Sequence, residues 1–363
     1  MKSKSFPECV AIIEFDSSHD ECLLTQINAL KNHGCWVMLI TNTVIKSRNK
    51  HLEELVDEWS LIDPRGVGLT GASLGDAIII RRLMRFLKKR RITKVVFNTA
   101  QGGHVRNACL FSLFRKVEFI GIIHTIRKFK GSFTQKIINL KIKKYFVLAE
   151  FLREQIPPQK GILFETFYPI DFPKSHLAVK NDEEFHISII GSVESRRKDL
   201  SGFISLIQQI DSSVQFNFLG KAAPKHLDVI QLKEKLREMA CLSRVTFYDD
   251  YTPFDEIDQI LRKTSVILPL IHPATPSANE YFRNQIPGAM NIALAYHIPL
   301  LLHEHFERIR EIHTAAFYYE MDQFSESLDN LRKQSSSINQ MMISTKEYSS
   351  SWNQERYLKF LFS

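Results

Sequence analysis

Cysteine is sparse in this 363-residue chain: Cys9, Cys22, Cys35, Cys109 and Cys241, with no CxxC pair among them. An odd number at irregular spacing argues against a disulfide framework or a cysteine-built zinc site, and suits inert thiols in a reducing compartment. Glycine (14) and proline (13) are too few for a collagen-like or Gly/Ser-rich protein. No run reaches the ~18 apolar residues of a membrane span. A secretory leader is not expected, because Pro7, Glu8 and Glu14 fall where an apolar segment would have to lie. No short-period repeat is present, and the serine runs at 335–337 and 349–351 read as loops. These absences lead to an expectation of a cytoplasmic protein.

What is present is a composition that folds. Hydrophobic residues make up 44% and charged residues 24%, which excludes a disordered chain, and the length suits two domains. The net charge of +8 is uneven. Residues 1–175 carry 28 Lys+Arg against 16 Asp+Glu, whereas residues 176–363 carry 20 against 24. A basic half therefore precedes a mildly acidic one, which points to an anionic surface or ligand on one side.

Apolar strand-like runs alternate with helical ones. Cys9–Phe15, Cys35–Ile40, Lys94–Asn98, Glu118–His124, Tyr145–Ala149 and Gly161–Phe167 read as strands, with helices at Glu21–Lys31 and Ala77–Arg91 and after Gly102-Gly103. Runs apolar on both faces belong to a parallel sheet covered by helices on each side. Two prolines in Tyr168–Pro173 and the polar stretch Ala178–Glu184 mark a linker. The pattern then restarts at Phe185–Ile190 and runs through Val214–Leu219, Arg244–Tyr248, Thr264–Leu270 and Ile298–Leu302, with a further strand at Ala315–Tyr319 and an amphipathic helix at Ser351–Phe362. The expected fold class is α/β: two Rossmann-like βαβ domains facing each other across a cleft, with a C-terminal helix that could return to the first. The expected boundaries are 1–174, 175–345 and 346–363.

Arg196-Arg197-Lys198, between the strand ending at Gly191 and the next helix, are read as a helix N-terminus ready for an anion. An arginine fork and a lysine point charge would neutralise a diphosphate there, the alternative being a solvated basic turn. Pro287-Gly288-Ala289 opens a second helix, where glycine lets a phosphate approach the backbone.

Strand–Gly191…Lys198–helix, strand–Gly220, Phe247-Tyr248-Asp249-Asp250-Tyr251 and Val266-Ile267-Leu268-Pro269 together resemble the C-terminal half of GT-B glycosyltransferases. They are most similar to the retaining nucleotide-sugar enzymes of glycosyltransferase family 4. The resemblance extends in element order over nearly the whole chain, with motif identity confined to these places. It implies that Gly191, Arg196, Arg197, Lys198, Gly288 and Ala289 face the donor diphosphate, and that Gly220, Tyr248 and Tyr251 lie by the base and ribose. Glu280 corresponds to the first of the family's two glutamates eight apart, but the second position holds Gly288. By the same resemblance His124 lies by the reacting sugar, where it could accept or donate a hydrogen bond to the transferred sugar or acceptor hydroxyl near neutral pH. A satisfied structural histidine is the other reading. His19, Glu21 and His104 are expected on the acceptor side, although His19 and Glu21 could equally be helix caps.

The resemblance implies a metal-independent, retaining hexosyltransferase that needs no cofactor beyond its nucleoside-diphosphate-sugar donor and acts on a glycan or lipid-linked acceptor in cell-surface polysaccharide synthesis. His303-Glu304-His305 and His313 are not expected to bind metal, because the first two histidines would point to opposite faces of a strand. Residues 81–91 hold seven cations among Leu83, Met84, Phe86 and Leu87, and a second basic tract follows at 127–144. This reads either as an interfacial anchor on anionic lipid, peripheral to the inner face of a membrane, or as a helix packed on the sheet with solvated cations. Nucleic acid is not an expected partner, because neither stacking aromatics nor a known motif accompanies the charge. Two other functions stay open: a GT-B-shaped binding or regulatory protein without activity, and a sugar-nucleotide epimerase.

Overall fold

A computed structural model describes residues 8–63, 74–113, 116–174, 184–250 and 252–363. Tyr251 and most of the polar stretch at 178–184 lie outside the described residues. The chain forms two units, Met1–Phe172 with Ser350–Ser363, and Pro173–Ser349.

The first unit opens with β1 (Cys9–Ile13), α1 (Leu23–Asn32), β2 (Trp36–Thr41), α2 (Thr43–Arg48) and β3 (Glu58–Leu61). It continues with α3 (Leu74–Lys89), β4 (Lys94–Phe97), α4 (Gly102–Ser112), β5 (Glu118–Ile123) and α5 (Phe133–Lys141). Then come β6 (Lys144–Val147), α6 (Glu150–Glu154) and β7 (Leu163–Thr166). Its seven strands are ordered β3-β2-β1-β4-β5-β6-β7, and every pair is parallel. The chain winds outward from β1 in one direction and then from β4 in the other, so the topological switch point of this sheet lies between β1 and β4.

The second unit repeats the plan with β8 (Phe185–Ile190), α7 (Leu200–Ile207), β9 (Val214–Lys221), α8 (Leu227–Glu238), β10 (Val245–Tyr248) and α9 (Phe254–Lys263). It goes on through β11 (Thr264–Ile267), α10 (Ala278–Arg283), α11 (Gly288–Tyr296), β12 (Leu300–His303), β13 (Ala316–Tyr319) and α12 (Phe324–Ser344). The order β10-β9-β8-β11-β12-β13, again all parallel, puts its reversal between β8 and β11. Phe203 of α7 meets Phe216 and Phe218 of β9 edge-on, each at 5.1 Å, in the middle of this core.

The last helix, α13 (Ser350–Phe362), returns to the first unit and packs on α1. Tyr357 is its anchor, stacked on Phe146 at 4.7 Å and tilted against Phe167 at 5.3 Å. Arg356 bridges Glu150 and Glu165, and Ser350 donates to Asp171 at 2.7 Å.

Several expectations are overturned. Serines 335–337 lie inside α12, a 21-residue helix, and Ser350 and Ser351 open α13. Gly220 lies within β9 and does not end it. The helix after Gly191 starts at Leu200, two residues past Lys198. His303 ends β12, and Glu304–Phe306 is a 3-10 turn, so the His-Glu-His run does not alternate along a strand. Of the two readings of the 81–91 segment, packing holds for α3: Ile80, Leu83, Met84 and Leu87 are buried while Arg81, Arg82, Arg85, Lys88 and Lys89 are exposed.

Replacing Tyr357 by alanine removes a fully buried ring from between two others. We expect a loss of about 3–5 kcal/mol from the first unit, read by urea unfolding at equilibrium.

Candidate functional site

Polar side chains collect at the reversal point of each sheet. In the first unit β1 gives way to Glu14, β4 to Asn98 and Thr99, and β5 to His124. Glu14 is 1% exposed, and its carboxylate accepts from Thr99 Oγ1 (2.6 Å), Asn98 Nδ2 (2.7 Å) and the Asp16 amide (2.7 Å). Burial pushes its pKa up to about 7 against the pull of these donors. Asn98 is the hub. Its Nδ2 also donates to the His19 carbonyl (2.8 Å), its Oδ1 accepts from Gln26 Nε2 (2.7 Å), and its own carbonyl accepts from His124 Nε2 (2.8 Å).

A carbonyl only accepts, so His124 carries its proton on Nε2 and presents Nδ1 as a lone pair. Burial, reinforced by His19, holds the ring neutral with a pKa pulled down to about 3. The His19 imidazole stacks on it with centroids 3.6 Å apart and planes 22° apart. His19 has φ +67, a left-handed conformation costly for a residue with a Cβ, and its Nδ1 lies 3.3 Å from Glu21 Oε1. Burial pulls its pKa down, but the bond to Glu21 and the carboxylates of Glu21, Glu14 and Asp16 outweigh it and raise the pKa overall. Burial pushes Glu21 up, but the bond to His19 and the two imidazoles bring it below its ordinary range.

The structure thus brings His19, Glu21 and His124 together, their ligating atoms within 4.8 Å of one another. The capping alternative is not observed, because neither the 3-10 turn Asp20–Cys22 nor α1 has a side-chain cap. His104 is set apart on α4, its ring 5.7 Å from that of Phe15 and its Nε2 3.9 Å from Asp76.

In the second unit Gly191 follows β8 with φ +99, and its amide donates to Leu219. A Cβ on Gly220 would lie 2.3 Å from the Gly191 backbone, so Gly220 is required for the two strand ends to pass each other. Lys198 is 5% exposed and donates from Nζ to the Ile190 carbonyl at 2.5 Å. Burial, with Arg197 beside it, pulls its ammonium down to about 7. Arg196 and Arg197 are exposed, with Glu194 3.9 and 3.6 Å away. The α7 N-terminus is not an open anion site as expected: Asp199 caps it, accepting from the Gly202 amide at 2.7 Å. The cations therefore stand in the turn ahead of the cap.

Asp199 also belongs to a buried chain that sequence reasoning missed. His272, in the loop after β11, bonds Asp199 Oδ2 through Nδ1 (2.7 Å) and the Tyr319 hydroxyl through Nε2 (2.6 Å). The bond to His272 holds the Asp199 carboxyl far below its usual range. The same loop reaches Arg196, whose carbonyl accepts from the Ser277 amide. Glu280 lies half-buried on α10 beside Asn284. Gly288 is the first residue of α11, after Pro287 and ahead of buried Ala289; no side chain caps this start, and nothing stands within 4 Å of a Cβ placed on Gly288. Tyr248 ends β10 half-buried, its hydroxyl pushed up by burial. The flanking Asp249 and Asp250 face Lys233 and Lys221.

No protein-family model and no curated protein sequence matches the chain. Solved structures do. A glycosyltransferase from Rickettsia africae ESF-5 is 11% identical with a TM-score of 0.68, covering 98% of each chain. Anabaena HepE, solved with UDP and glucose, is 11% identical at 0.68, covering 98% of this chain and 99% of its own. A putative UDP-N-acetylglucosamine 2-epimerase from Listeria monocytogenes is 11% identical at 0.66, covering 97% and 95%. At this identity the likeness establishes the fold, which is GT-B.

Glu14 is built to accept three hydrogen bonds. In Glu14→Gln an amide NH2 faces donors, which we expect to cost about 1–3 kcal/mol and to lower the thermal midpoint by several degrees in a melting curve.

Proposed function

We propose that the chain is a glycosyltransferase that takes a sugar from a nucleoside-diphosphate donor, with the donor in the second unit. The observation that carries this reading is Lys198. A lysine is buried at the carboxyl edge of β8 with its Nζ beside Gly191, where a glycine leaves the backbone open, and two exposed arginines precede it. Burying an ammonium is costly unless something repays it, and a diphosphate is the partner that would. In this reading Arg196, Arg197 and Lys198 stabilise charge on the leaving phosphate, and the uncapped amides at Gly288 and Ala289 supply further donors. The neutral His124 ring offers Nδ1 to a sugar or acceptor hydroxyl, Glu280 contacts the transferred sugar, and Tyr248 holds the base. Retention of configuration and a polysaccharide or lipid-linked acceptor belong to the same reading.

A sugar-nucleotide epimerase is the second reading, because solved UDP-N-acetylglucosamine 2-epimerases are among the structures this chain is similar to. That enzyme would convert a donor with no acceptor present, and a transferase would not.

A membrane-facing surface is part of the proposal, and it moves from α3 to α5. Phe133 (76% exposed), Ile137 and Leu140 (61% exposed) line one face of α5 at helical spacing, with Lys136 and Lys143 exposed beside them. Exposed apolar groups among cations fit the interface of an anionic bilayer. We expect Phe133→Ser with Leu140→Ser to reduce co-sedimentation with phosphatidylglycerol vesicles and to leave phosphatidylcholine binding at background.

The donor assignment has a pH signature. The Lys198 ammonium attracts diphosphate, and its population falls as the pH rises through about 7. Affinity for UDP, taken as the test diphosphate, is therefore expected to fall from about pH 6 to 8.5 in titration calorimetry, and Lys198→Met to weaken binding and flatten that profile. Full affinity in Lys198→Met would overturn the site.

A further inference from the structure

We infer that His19, Glu21 and His124 form a site for one divalent metal ion of the zinc class. Two imidazole nitrogens and a carboxylate oxygen, mutually within 4.8 Å, are the donor set of a zinc centre that keeps a coordination position open. Among the described residues no other trio of histidine, cysteine, aspartate and glutamate side chains comes together in this way.

The surroundings fit a ligand role for each group. His124 donates its Nε2 proton to the Asn98 carbonyl at 2.8 Å, which fixes the ring and turns Nδ1 into the ligand atom. A backbone carbonyl on the far nitrogen is the usual outer partner of a metal-bound imidazole. The 3.3 Å between His19 Nδ1 and Glu21 Oε1 is long for a charge-assisted hydrogen bond but matches the edge of a tetrahedron with ligands at about 2.0–2.1 Å. His19 is held at φ +67 with its carbonyl tied to Asn98 Nδ2 at 2.8 Å, so one asparagine fixes both histidines. Loading the site requires one movement: stacked rings 3.6 Å apart do not aim their nitrogens at one point, so the partly exposed His19 ring leaves its stack on His124 by pivoting about Nδ1, which stays beside Glu21. The buried His124 stays in place.

Three protein donors leave a position for an oxygen ligand, either water or a hydroxyl of a sugar-like molecule. The site lies within the first unit and takes the His124 Nδ1 that the transfer reading offers to a hydroxyl; because it is read by binding and not by turnover, its failure is distinguishable from the failure of that reading.

The test is a Co2+ titration of the full chain after chelator treatment and gel filtration. A 1:1 complex with visible ligand-field bands, displaced by Zn2+, is expected. His19→Asn, which tolerates the left-handed backbone, and Glu21→Gln should each weaken Co2+ by at least about tenfold with circular dichroism unchanged. A His303→Ala, His305→Ala variant should bind as the parent does. Absence of a stoichiometric complex, undiminished binding in the combined His19→Asn, Glu21→Gln variant, or loss in the His303/His305 variant would overturn the site.

Discussion

A parallel sheet covered on both faces has little room for polar side chains along its strands. Val10, Ala11, Ile12 and Ile13 of β1 are all buried, as are Val95, Val96 and Phe97 of β4 and Ile120, Ile122 and Ile123 of β5. The first positions that can carry a functional group are those just past the strands. Because every strand runs the same way, those positions gather on one edge of each sheet. Glu14, Asn98, Thr99 and His124 at one edge, and Gly191, Lys198 and His272 at the other, follow from that constraint.

The same geometry determines the electrostatics. Strand ends are near water but not in it, so an ionisable group there loses solvation before it gains a partner. Glu14 and Lys198 show the result from opposite sides. Burial pushes the acid up and the base down, and both arrive at about 7. Glu14 in the first unit and Lys198 in the second are thus deeply placed groups that change charge near neutrality, a property common where proteins handle charged ligands.

The apolar strand runs were legible because β-branched residues cluster in them, and Phe185–Ile190 is bounded as its composition indicates. The edge strand β3 was not. Its Glu-Trp-Ser-Leu alternates, and Leu61 is exposed, so it lacks the signature of a buried run. Serines 335–337 concealed a helix for a related reason: Leu328, Leu331, Ile338 and Met342 recur at helical spacing around them and carry the burial. At the site, the cations at 196–198 were visible as charge, but a cluster of charge reads as surface, and nothing local told that Lys198 is buried. Nor could local pattern reveal the Asp199–His272–Tyr319 chain, whose members are 73 and 47 positions apart. The His19–Glu21–His124 group was named residue by residue; its convergence comes from the β1–β4–β5 order.

The return of α13 to the first unit has a consequence for how the molecule is made. Residues 350–363 follow the whole second unit in the chain, yet Tyr357 fills the space between Phe146 and Phe167. During synthesis the first unit must therefore wait, with that apolar groove uncovered, until everything through residue 349 has been translated. The second unit is the opposite case: its residues are contiguous, and it can close as soon as it leaves the ribosome. The half that is begun first is finished last.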